Sequence, residues 1–129
     1  MKLKRAVGAF DAVSELMKEK TSFAFAHALC LAKQELEPHV SFYAQAELEL
    51  IQRYALKADD GEAVSPDGTF RIDIKDAERF GKEKQELDDI EADVRKIPAK
   101  KAPETITGEQ LAALLDILEF EKENGGVET

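Results

Sequence analysis

The sequence predicts a mainly α-helical protein: an antiparallel helical hairpin with a long second helix, then a third, acidic helix, a short β-hairpin and a short C-terminal helix. Three observations carry this. Apolar residues recur at three- and four-residue steps over most of the chain. Charged residues make up 35%, which suits long solvated helix faces, whereas aromatics make up 7% and Trp is absent, so the core must be mainly aliphatic. The length, 129 residues with 43% hydrophobic, is enough for one core and too short for two. The expected organisation is a single helical domain over residues 1–120 and a flexible tail over 121–129.

The first helix is expected over about residues 2–19, because Leu3, Ala6, Val7, Phe10, Val13, Leu16 and Met17 fall on one face. Thr21 or Ser22 can cap the second helix. Its stripe runs through Phe25, Leu29, Ala32, Leu36, Val40, Tyr43, Leu50, Ile51 and Tyr54, an unusually long span. Pro38 lies within it, and because the stripe keeps its phase across the proline, a bend near residues 35–38 is expected rather than a loop. Turn signals then follow at Asp59-Asp60-Gly61 and Ser65-Pro66-Asp67-Gly68. They predict a β-hairpin turning at Pro66-Asp67, with Ala63-Val64 on one strand, residues 69–72 on the other, and Phe70 and Ile72 anchoring it to the helices.

A third helix is expected from Asp73 or Asp76 to about Arg95, with a narrow coiled-coil-like stripe of Phe80, Leu87, Ile90 and Val94 broken by Lys84. Segment 96–104, with two prolines and three lysines, reads as a linker or an extended edge. Thr107 and Gln110 form a capping box for a fourth helix carrying Leu111, Leu114, Leu115 and Leu118.

The charge is unevenly placed. Residues 1–57 carry 8 Lys/Arg against 7 Asp/Glu, and residues 58–129 carry 10 against 20, so the net −9 lies in the second half. An acidic surface gains nothing from phosphate counterion release and is repelled by anionic lipid, so neither direct nucleic-acid binding nor membrane binding is expected. The basic N-terminal residues are followed by too short an apolar stretch for an export signal, and the longest apolar run, near residues 23–32, is too short for a membrane span. One Cys excludes an internal disulfide and fits a reducing compartment.

Chemistry-bearing residues are sparse. His27 and His39 do not have metal-ligand spacing on one helix turn. Cys30 follows Leu29 and is expected to be an inert, buried core residue; His27 is its only nearby base. Asp59, Asp60, Glu62 and Asp67 lack the alternation of a calcium loop and read as turn residues. The carboxylates Glu78, Glu83, Glu86, Asp88, Asp89, Glu91 and Asp93 load the third helix without a Glu-x-x-His motif and read as its solvated face. No catalytic, cofactor-binding or metal-binding residue is therefore assigned. Glu78, Glu86, Asp89 and Asp93, spaced at turns of the third helix, are the candidate partner-binding residues.

The order of elements resembles a family of small uncharacterised phage and prophage proteins. The resemblance is carried by Ala28-Leu29-Cys30-Leu31-Ala32-Lys33, Glu35-Leu36-Glu37, residues 43–54, the Asp59-Asp60-Gly61 turn, the acidic stretch 80–94 and the closing stretch 106–118. It covers nearly the whole chain as a pattern of spacing, and implies no catalytic residues and no cofactor. It implies a phage or prophage origin; the absence of any assignable site and the long helical surface then favour a non-enzymatic accessory protein in the cytoplasm of the host bacterium. Such a protein would act through contacts with a phage or host protein, in virion assembly or another infected-cell role, with homo-oligomerisation through helices also possible. The alternative is an acidic inhibitor that occupies a nucleic-acid-binding site on a host protein.

Overall fold

The computed structural model describes residues 1–57 and 69–121. Among them lie α1 (Leu3–Leu16), α2 (Phe23–Tyr54), α3 (Ala77–Asp88) and α4 (Gly108–Leu114), with two short strands, β1 (Ile97–Ala99) and β2 (Leu118–Phe120). The mainly helical expectation holds at this level; the strands differ from it.

α1 buries Leu3, Ala6, Ala9, Val13 and Leu16, the predicted face, against α2. It stops earlier than expected. The amides of Lys18 and Glu19 bond back three residues, to the carbonyls of Glu15 and Leu16, and this tighter turn closes the helix. α2 is capped by Ser22, whose hydroxyl accepts from the Phe25 amide at 3.2 Å. It continues unbroken through Pro38. The proline cannot bond the Gln34 carbonyl, but both residues are exposed, so water can satisfy that carbonyl. Alanines line both sides of the contact, Ala6 and Ala9 on α1 and Ala28 and Ala32 on α2, all buried. Small side chains let the two backbones approach closely, and Leu29, Leu36 and Val13 fill the seam.

α3 ends at Asp88, about two turns short of the predicted Arg95. The cause is tertiary. The Leu3 amide donates to the Ile90 carbonyl at 2.9 Å and the Ala92 amide to the Met1 carbonyl at 2.8 Å, an antiparallel bridge that takes the groups a longer helix would need. The segment is extended, with Ala92 and Val94 turned inward between the exposed Glu91, Asp93 and Arg95. That is a period of two, which the sequence reading had absorbed into a helical stripe.

The β-hairpin is a correction. Ala63-Val64 and the Pro66-Asp67 turn lie outside the described residues. Thr69 to Ile72 form no strand; the Leu56 amide donates to the Arg71 carbonyl at 2.7 Å, and Ile72 bridges Ala55 at the end of α2. Phe70 instead packs its ring on Phe80 at 5.9 Å. The strands among the described residues are β1 and β2, which pair in parallel with Ile97 opposite Leu118. A parallel pair requires a crossover, and α4 lies within it. The Thr107–Gln110 capping box forms as expected. α4 is shorter than predicted, however: Leu114 is buried, Leu111 and Leu115 are exposed, and Leu118 belongs to β2. The Ile97 amide and the Ala99 carbonyl both bond toward β2, so Pro98 between them faces away, exposed. Ile97, Ala99, Leu114, Ile117 and Leu118 join the α1–α2 core.

Leu36 is 0% and Leu50 7% exposed. Truncating either to Ala should cost roughly 2–5 kcal/mol in denaturant unfolding. Phe23, at 95% exposed, should tolerate Ala with no shift in midpoint. Equal effects at all three would mean that the buried stripe of α2 is not core.

Candidate functional site

The four predicted acids do not form one row. Glu78 is exposed in the first turn of α3. Glu86 is exposed in the second half of α3 and forms no hydrogen bond or ion pair with any described residue. Asp89 caps the end of α3 and is occupied: Lys2 Nζ lies 3.2 Å from Oδ1 and Gln85 Nε2 3.0 Å from Oδ2. Those two donors hold its carboxyl below the usual range. Asp93 lies beyond the helix, in the extended segment, so the expected one-turn spacing from Asp89 is lost. Of the four, Glu78 lines a polar hollow with Lys75, Arg79 and Lys82, and Glu86 lines a more apolar one.

The more apolar hollow is a groove of about 390 Å³ between α2 and α3. Ala46 and Leu50 from α2, with Leu87 and Ile90 from the end of α3, give it an apolar floor. Glu49 and Arg53 stand on one wall, Glu83 and Glu86 on the other. Arg53 Nη1 is held by Glu83 Oε1 at 3.2 Å. Beyond that end, Tyr54 meets Phe80 edge-on at 6.1 Å. The nearby Glu83 carboxylate raises the Tyr54 phenol above its ordinary pKa.

The groove keeps its shape because α3 is locked to α2 by a polar knot that the sequence reading missed. Asp88 is buried, at 6% exposed, although it had been placed on the solvated face. Tyr43 donates its hydroxyl to Asp88 Oδ1 at 2.5 Å, and Lys84 Nζ lies 2.8 Å from the same oxygen and 2.6 Å from the Tyr43 oxygen. Glu47 adds a second carboxylate 3.4 Å from Lys84. Desolvation alone would push Asp88 up, but hydrogen bonds from Lys84 and Tyr43 reverse this and hold it below the usual carboxylate range. Burial likewise works to lower Lys84, and its bonds to Asp88 and Tyr43 more than offset that, raising it. Desolvation and the bond to Asp88 raise the Tyr43 phenol. Tyr43 and Glu47 belong to α2 and Lys84 and Asp88 to α3, so the knot ties the two helices together. The sequence carried one signal for it: Lys84 interrupts the apolar stripe and stands four residues before Asp88.

Cys30 is a second correction. It is exposed, on the solvent side of α2, one helical step past the buried Leu29. The predicted face had been drawn one residue too wide. His27 is exposed beside it, and no three His, Cys, Asp or Glu among the described residues are placed to hold a metal ion. No helix among the described residues is long and apolar enough to cross a membrane. Compared with known proteins, the chain matches no family, no curated sequence and no solved structure.

Two expectations follow. Cys30 should label with a thiol reagent in the folded protein about as fast as a free peptide thiol; protection until unfolding would restore the buried reading. Lys84→Met should cost about 1–3 kcal/mol at neutral pH, by leaving Asp88 buried with one donor fewer. The depressed folded pKa of Asp88 gives stability that is present above its ordinary 3.8 and lost as pH falls through the folded value. The gap between wild type and Lys84→Met in denaturant unfolding should therefore narrow in acid; a gap constant from neutral pH to strong acid would mean that Asp88 is not the charged partner.

Proposed function

We propose that the chain is a non-enzymatic accessory protein of phage or prophage origin that acts by protein–protein contact in the cytoplasm of the host bacterium, in virion assembly or another infected-cell role. One observation supports the contact reading above others: at the groove between α2 and α3, Ile90 stands 43% exposed beside the buried Leu50 and Leu87 and carries the apolar floor out to solvent. Open apolar surface is what a protein partner covers. In this reading α1 and α2 form an antiparallel hairpin that serves as a rigid spine; Leu3 clustering with Tyr43, and Lys33 lying 5.7 Å over the Phe10 ring, support that direction. The partner is another protein, phage or host, or a second copy of this chain.

The acidic-inhibitor alternative asks for a row of free carboxylates on one helix. Asp89 is tied to Lys2 and Gln85, and Asp93 stands outside α3, so that reading takes second place.

The test is crosslinking and pull-down from infected or prophage-bearing cells with wild type and Ile90→Ser. The expected result is a protein retained by wild type at salt well above physiological and lost with Ile90→Ser, while melting stays unchanged. Retention that disappears with modest added salt and ignores Ile90→Ser would favour the acidic alternative.

A further inference from the structure

We infer that the occupant of the α2–α3 groove is a basic amphipathic helix of the partner protein: an apolar stripe flanked on both sides by Lys or Arg. This rests on the protein-contact reading above and names the partner's chemistry. The floor supplies the first half of the argument. Residues 46–53 of α2 span about 12 Å at 1.5 Å per residue, room for two helical turns, and residues 83–88 of α3 with the turn to Ile90 line the other side. Ala46 and Leu50 are one turn apart, and Leu87 and Ile90 nearly so, which matches apolar anchors at i and i+3 or i+4 on an incoming helix.

The walls supply the second half. Glu49 stands on the α2 side and Glu83 and Glu86 on the α3 side, against Arg53, the one cation among the described residues that line the groove, which Glu83 already holds. Glu49 and Glu86 are exposed, and Glu86 has no partner among the described residues. Carboxylates on both banks of an apolar floor call for cations on both flanks of an apolar stripe. A helix can present that arrangement. An extended strand cannot, because its side chains alternate between two opposite faces, and one that seats apolar residues on the floor turns the others to solvent. A small organic cation would answer the walls and leave the floor uncovered.

The test is fluorescence anisotropy of the full chain with labelled synthetic peptides of about 18 residues, five turns of helix. One has Leu on a single helical stripe and Lys elsewhere, the second has Glu in place of Lys, and the third scrambles the Leu/Lys order. The Leu/Lys helix should bind, the Leu/Glu helix should not, and the scrambled peptide should bind more weakly. Glu86→Lys and Ile90→Ser should each weaken the Leu/Lys helix about tenfold or more, because each removes a contact that an exposed groove residue makes with the bound helix. Glu78→Lys makes the same change in net charge on an exposed site outside the groove and should change affinity less than about twofold. Thermal melts of the variants confirm that folding is intact. Equal loss with Glu78→Lys and Glu86→Lys would reduce the effect to overall charge and overturn the inference. So would equal binding of the scrambled peptide, no binding of any peptide, or displacement by spermine that Ile90→Ser leaves untouched. If Ile90→Ser abolishes capture of a cellular protein while the Leu/Lys helix fails to bind, the basic-helix occupant is wrong and the protein-contact reading stands; if capture fails as well, both fall.

Discussion

The seam between α1 and α2 is the constraint on which the rest of this fold depends. β1 and β2 have three residues each and α4 has seven, all too short to be stable alone. They hold their places because Ile97, Ala99, Leu114, Ile117 and Leu118 insert into the cluster that Val13, Leu29 and Leu36 begin. The seam is made mainly of alanines and aliphatic side chains, with Phe25 the one aromatic ring fully buried among the described residues of its cluster. Close backbone approach takes the place of large rings: each fully buried leucine contributes roughly 1.5–3 kcal/mol, and the alanines let several of them meet.

The other end of the molecule is organised differently. There Leu3, Tyr43, Leu87 and Ala92 form a smaller cluster, and the Tyr43–Lys84–Asp88 knot sits beside it. Apolar packing alone tolerates sliding; a buried carboxylate does not. Moving α3 by one turn along α2 would carry Lys84 with Asp88 but take both from Tyr43 and Glu47, leaving the buried Asp88 one donor short, a costly state. The knot therefore sets the register of α3, and with it the facing of Leu87 and Glu86 across from Leu50 and Glu49. The salt bridge from Arg5 to Asp116, at 2.9 Å and exposed on the arginine side, does no comparable work, since exposed pairs are worth little.

Much of this was legible in the sequence, and what was not has physical causes. The long second helix, its course through Pro38, the Ser22 cap and the Thr107–Gln110 capping box were readable because periodicity and capping are local. The end of α3 was not. Residues 89–94 carry no Gly or Pro to stop a helix, and the stop comes from backbone bonds to Met1 and Leu3, nearly ninety residues away in sequence. The β1–β2 pair was invisible for the same reason: each strand is three residues long and its partner lies across a crossover. At the groove, Glu86 was picked out from the sequence, but as one of a row of acids. Leu50 and Leu87 are buried as the stripes predict, whereas Ile90, on the same predicted stripe as Leu87, stands exposed at the groove. Periodicity says that a residue is on the packed face; it does not say where the packing stops.

Pro98 has a consequence for the behaviour of the protein in a crowded cell. An open strand edge is a template on which another chain can add, copy after copy. On the outer side of β1 the residue that would offer its amide is a proline, so an incoming strand finds no donor there. Lys96 and Lys100, both exposed, put like charge on either side of the same edge, so two copies brought edge to edge repel. The sheet can brace the core from within and still be closed to growth along that side.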